Sequence, residues 1–264
     1  MSLPPAKRVI YKKNPLTQVL CELKFMPILA IDANDKSLAD FQDRIRSDFP
    51  LYQALPFHPS NVSVFGNFQM PGVLVNSLSG VQNPVCHMFV KEDGLCQIDL
   101  KRDSIIFATR KYERWEDFIF ELEEPLSALL EIFKPSDYTR IGLRYTDLFV
   151  RSKLGLDDVP WSDLINKPFA GVLASEVGER VTGVDSIYEL DLGDDLGKLR
   201  VALALVKNEE SEICFLLDSD FHLDRKTPIE DAKEVLGILN ENSRNLLHYA
   251  IKGKLHDAME PMEP

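Results

Sequence analysis

Three strand-like runs stand within 25 residues, at 85–90, 95–100 and 104–109, and only a few turn-forming residues, such as Glu92-Asp93-Gly94, separate them. A parallel crossover needs a dozen or more residues, so connections this short force antiparallel neighbours. Two further runs, 62–68 and 73–78, separated by Pro71-Gly72, read the same way and extend the meander toward the N-terminus. Most of the fold must therefore be an antiparallel sheet, and the remaining patterns must supply what covers it.

The covering elements are helical. Leu38, Phe41, Ile45 and Phe49 recur at helical spacing behind a strand at 16–25, and 50–59, with three prolines in ten residues, reads as the loop that stops that helix. Trp115, Phe118, Leu122, Leu126, Leu129 and Phe133 form one apolar stripe of a longer helix, which Pro125 is expected to kink because proline removes a backbone donor. The order then recurs. A strand spans 138–150, a short helix falls near 161–165, strands follow at 171–182, 184–192, 199–206 and 212–223, and a last helix closes the chain. Thr227 as cap, Pro228 at the first position and Glu230 as capping-box acid mark that helix's start. Val235, Leu236, Leu239, Leu246, Leu247, Ala250 and Ile251 supply its buried face.

The fold class expected is α+β, in two similar halves of strand, helix, antiparallel meander and long helix, 1–135 and 136–264, forming one unit with a pseudo-repeat. Each sheet would wrap its closing helix, a duplicated helix-grip-like arrangement that leaves a groove between sheet and helix.

The segments YKKNPLTQVLCELKF (11–25), RKYERWEDF (110–118) and YTRIGLRY (138–145) resemble a sporadically distributed family of uncharacterised bacterial proteins. The resemblance implies one whole protein of this length, and it brings no activity, cofactor or catalytic residue to transfer.

Charge narrows the partners. The net charge is −12, and most of the excess lies in 151–264, where 13 Lys and Arg face 23 Asp and Glu. Such a field repels phosphate backbones, which disfavours nucleic acid. The basic arm Lys7, Arg8, Lys12 and Lys13 and the cation–aromatic segment 110–115 are the local exceptions, read as a solvated chain end and as a strand passing into a helix. No apolar run approaches the roughly 20 residues that span a bilayer, and no signal-type segment opens the chain, so a cytoplasmic protein is expected. Cys21, Cys86, Cys96 and Cys214 are widely spaced among apolar residues and read as buried thiols.

Nucleotide-binding glycine motifs, Walker loops, zincin motifs and nucleophile elbows are all missing from the sequence. The stretch GDDLGK (193–198) is a turn, since it lacks phosphate-loop spacing and would turn two acids toward a phosphate. His248 and His256 stand on the last helix without a triad-like carboxylate.

Two polar stripes remain. Alternation puts Asp218, Asp220, His222 and Asp224 on one face of a strand, a donor set suited to a cation if the strand let them converge. It also groups Tyr138, Arg140, Gly142, Arg144 and Thr146, two guanidinium groups flanking a glycine that leaves room for close approach. If the two strands are neighbours, Arg140 and Arg144 fall beside Asp218, Asp220 and Asp224 as cross-strand ion pairs.

The functional expectation is a non-enzymatic binding or interaction protein, taking a small molecule or a protein into a polar groove, with Tyr138, Arg140, Arg144, Asp218, Asp220 and His222 as candidate ligand-binding residues. No cofactor, resident metal or catalytic residue is assigned, and oligomeric state is not legible. The alternative is a metal-assisted hydrolase using Asp218, Asp220 and His222 as ligands and Asp224 either as base or as a group that hydrogen-bonds the ligands.

Overall fold

Period-two alternation along the strands at 16–25, 141–149 and 217–223 builds a sheet with one apolar face and one face that carries charge. In the computed structural model, which describes residues 3–33, 35–56 and 85–264, the strands are β1 (Ile10–Tyr11), β2 (Leu16–Phe25), β3 (Leu51–Pro56), β4 (Val85–Val90), β5 (Cys96–Lys101), β6 (Ser104–Thr109), β7 (Asp137–Phe149), β8 (Asp185–Gly193), β9 (Gly197–Lys207), β10 (Ile213–Leu223), β11 (Thr227–Pro228) and β12 (Pro261–Met262). The helices are α1 (Ala30–Ala33), α2 (Asp35–Ile45), α3 (Trp115–Ile132), α4 (Arg151–Leu154), α5 (Trp161–Leu164), α6 (Lys167–Ala170), α7 (Ala232–Ala250) and α8 (Gly253–Ala258).

Ten strands form one antiparallel sheet in the order β3-β4-β5-β6-β2-β7-β10-β9-β8, with β11 taking up the stretch of β7 that β10 leaves unpaired. The chain is thus mixed α+β around a sheet whose centre is the β2–β7 pair. A continuous apolar row crosses it from Phe89 on β4 through Ile98, Phe107, Cys21, Leu143 and Phe221 to Leu199 on β9. Every member of that row is at most 1% exposed, and full burial of a large apolar side chain is worth about 1.5–3 kcal/mol.

Three amphipathic helices cover this face. Phe41 of α2 packs on Phe89 at 5.4 Å, and Phe118 of α3 on Phe107 at 5.2 Å. Helix α7 lies across β7 and β10, burying Val235, Leu236, Leu239 and Leu246. Helix α3 runs on through Pro125, which is itself buried. The chain ends meet in the small β1–β12 pair, extended by Lys13 N–H donating to the Met259 carbonyl at 3.1 Å. All four cysteines are buried free thiols, and among the described residues no helix is long and apolar enough to cross a membrane.

Several expectations need correction. Residues 51–56, read as loop, form β3, because an edge strand tolerates prolines at its ends. Residues 171–182, read as a strand, are two 3₁₀ turns. Gly171 there adopts φ +52°, and a Cβ on Gly178 would lie 2.1 Å from the Leu173 carbonyl oxygen, a close approach no extended segment makes. Thr227 does not cap the last helix. It pairs with Tyr138 in β11, its hydroxyl donates to the Arg225 carbonyl at 3.2 Å, and a 3₁₀ turn intervenes before α7 begins. The expected strands 62–68 and 73–78 lie outside the described residues. The GDDLGK turn is as expected, with Gly193 at φ +103° and Gly197 at φ +78°; a Cβ on Gly197 would meet the His222 carbonyl oxygen at 2.3 Å.

Candidate functional site

Pairing of β7 with β10 sets Asp220 opposite Arg144 and His222 opposite Gly142. The two polar stripes therefore meet on the outer face of the sheet, as the cross-strand reading required. Arg144 grips Asp218 with two bonds, Nε to Oδ1 at 2.7 Å and Nη2 to Oδ2 at 2.6 Å. Arg140 spreads over three acids: Nε to Glu22 at 3.2 Å, Nη2 to Asp220 at 3.0 Å and Nη1 to Asp224 at 2.9 Å. His222 lies beside them, its Nε2 3.4 Å from Asp224 and its Nδ1 3.8 Å from Asp220.

This geometry engages the oxygens a cation would need. Among the described residues, no group of three or more His, Cys, Asp or Glu side chains is placed to hold a metal ion. Gly142 is likewise engaged. The Arg140 guanidinium already lies over it, and a Cβ there would meet Nε at 3.6 Å and Asp220 Oδ1 at 3.8 Å, ordinary contacts. Gly142→Ala is accordingly expected to leave stability unchanged or raise it by up to about 1 kcal/mol in urea denaturation. A loss beyond about 2 kcal/mol would show the strand needs a bare backbone there.

Tyr138 does not belong to this face. The pairing of β7 with β2 slips between Lys24 opposite Arg140 and Phe25 opposite Tyr138, and this bulge at Thr139 turns Tyr138 into the core, where it is 1% exposed. The basic segments are likewise engaged. Arg8 bonds Glu116 at 2.8 and 2.6 Å, Lys13 lies 3.0 Å from Glu260, and Trp115 stacks inward on Phe118.

The opposite face holds a site that neither stripe contains. Along β7, Ile141, Leu143, Tyr145 and Phe149 point into the core, and Asp147 shares their side. Helix α7 does not close fully over this point, and a half-open cavity of about 120 Å³ remains between sheet and helix. Asp147, Leu217 and Ser219 form its floor, and Asn240, Ser243 and Arg244 approach from α7. The N-terminal arm roofs it, strapped to α7 by Ala6 N–H donating to Asn245 Oδ1 at 2.9 Å and to α3 by the Arg8–Glu116 pair. Tyr11, on that arm, places its hydroxyl 2.7 Å from His256 Nδ1.

Most polar groups around the cavity are satisfied. The Tyr145 hydroxyl donates to Asn240 Oδ1 at 2.8 Å, tying β7 to α7. Among the described residues, three groups are not. His248 Nε2 and Arg244 Nε are buried without a hydrogen-bond partner. Asp147 is 5% exposed, and burial, reinforced by the charge of Asp218, pushes its carboxyl up to about 7. Burial first, then His256 and Arg244, lower the His248 imidazole from its ordinary range. The sequence signal for this site was a lone acid at the period-two position of an otherwise apolar stripe, 141-143-145-147-149. Neither the family models nor the curated proteins compared with this chain match it.

Proposed function

We propose that the protein is a small-ligand binding module whose site is the groove between the sheet and α7, in a chain built as two helix-grip-like halves, 1–135 and 136–264. The order β2, α2, meander, α3, followed by β7, short helices, meander, α7, supports the duplicated reading. One observation carries the functional reading. Asp147 is a nearly buried carboxyl that opens into a cavity and has no hydrogen bond or ion pair among the described residues. An unpaired buried carboxyl is costly, so its persistence on a cavity floor fits a group that a ligand completes. Binding is favoured over covalent catalysis because, among the described residues, no serine or cysteine of the groove hydrogen-bonds a histidine.

The test is a fragment screen read by backbone-amide NMR on the full chain. Hits are expected to shift the amides of Asp147, Ser219, Asn240 and Ser243, and Ser243→Phe, which fills the groove from α7, is expected to weaken them at least tenfold. Hits mapping to the outer arginine face, or none mapping to the groove, would overturn the reading.

A further inference from the structure

The floor of the groove carries one ionisable group, Asp147, and among the described residues nothing of opposite sign pairs with it. Asp147 stands between Leu16 on β2 and Leu217 on β10, both apolar. Among the described residues, the charge that acts on it is a second acid, Asp218, on the far side of the sheet. Cations do line the cavity, yet each already has an acid: Arg8 with Glu116, Arg114 with Asp117 at 3.9 Å, and Arg244 through Nη2 with Glu241 at 3.3 Å, its Nε staying unpartnered among the described residues. The wall between floor and mouth is aromatic, with Tyr11, Tyr112 and Trp115 lining the same cavity.

Building on the groove reading, we infer that the ligand is a small organic cation, an ammonium or guanidinium group set against the Asp147 carboxylate with its carbon body along Tyr112 and Trp115. A cation supplies the countercharge the fold omits, in a site where exclusion of water strengthens the attraction. Aromatic faces add to it, since the ring quadrupole attracts a nearby cation. The volume is that of roughly four waters at about 30 Å³ each, so the floor takes the charged head and the mouth the remainder.

The inference implies a pH dependence of defined sign. The cation binds the ionised carboxylate, and with Asp147 near 7 the ionised fraction grows about tenfold from pH 6 to pH 8, tightening apparent affinity about tenfold. Alkylammonium and guanidinium groups stay charged throughout. The other titratable or charged groups lining the cavity with Asp147 are Arg8 and Tyr11 on the arm, Tyr145 beside it on β7, Tyr112 before α3, and Arg244 and His248 on α7, while His256 on α8 stands behind the Tyr11 hydroxyl. The three tyrosines are raised by burial and stay neutral; His248 is lowered by burial and is uncharged over most of the window. Glu113 and Arg114 stand at the mouth.

The experiment titrates the full chain with n-butylammonium and methylguanidinium, against n-butanol and butyrate at equal ionic strength, at pH 6 and pH 8, following groove amides by NMR. Saturable shifts at Asp147, Ser219 and Ser243 are expected with the cations alone, about tenfold tighter at pH 8. They are expected to vanish in Asp147→Asn and Asp147→Ser and to keep their pH dependence in His248→Gln and His256→Gln. If butanol or butyrate binds the groove as tightly, or the neutral Asp147 variants still bind the cations, the cation inference falls while the groove reading stands. If no probe moves the groove amides, the cation inference falls, and the fragment screen decides the groove reading separately.

Discussion

Replacing Asp147 with asparagine is expected to abolish a loss of stability that the native protein shows between about pH 4 and pH 7. The carboxyl is raised to about 7 in the folded chain, burial being the larger cause and Asp218 the smaller, against about 3.9 in an unfolded one. Between those values the folded state holds a proton that the unfolded state has released, so stability falls as pH rises and levels off above about 7. The whole effect is on the order of 4 kcal/mol, of which about 2–3 kcal/mol falls between pH 5 and pH 8. Urea denaturation of native protein and Asp147→Asn at those two pH values reads it. The informative quantity is the difference between the slopes, since the asparagine amide carries its own burial cost. Parallel profiles would mean that Asp147 is not a buried, raised carboxyl. A cation in the groove would flatten the native slope by holding the carboxylate ionised, which links this measurement to the ligand.

On the opposite face, Arg144→Ala is expected to cost about 3–5 kcal/mol, the scale of stranding one member of a buried ion pair. Asp218 is 3% exposed and would keep only a 3.4 Å contact from the Thr146 hydroxyl. Arg144→Met combined with Asp218→Leu is expected to recover most of that loss, because exchanging both charges for apolar groups of similar size removes the desolvation cost along with the attraction. Arg140→Ala offers the contrast. Its partners Glu22, Asp220 and Asp224 reach solvent more freely, so each pair contributes only about 0–1 kcal/mol. A double-mutant cycle in chemical denaturation checks all three, and equal losses for Arg140→Ala and Arg144→Ala would contradict the assigned difference in burial. The result also bears on the groove, because Asp218 is the charge that acts on Asp147 through the sheet.

Much of this architecture was legible in the residues alone. The boundaries of β2, β4 and β6 match the alternating runs, and the long helices fall on the apolar stripes, because side-chain direction repeats every two residues in a strand and every 3.6 in a helix whatever packs against it. The meeting of Arg140 and Arg144 with Asp218, Asp220 and Asp224 could be anticipated once those strands were taken as neighbours. Where a local rule gave the wrong answer, a tertiary partner had changed it. Tyr138 continues the arginine stripe in sequence, but a bulge against β2 turns it inward. Thr227 has the chemistry of a cap, but its backbone is taken by β7. Residues 51–56 acquire strand structure only because β4 offers them an edge. Asp147 marks the limit most clearly. Alternation along 141–149 places it on the apolar face, which says only that it is out of place. That it faces a cavity instead of a partner depends on where α7 stops covering β7 and on an N-terminal arm returning across α3 and α7. Those contacts join residues 95 to 239 positions apart, and the sequence encodes which side a residue faces, not what meets it there.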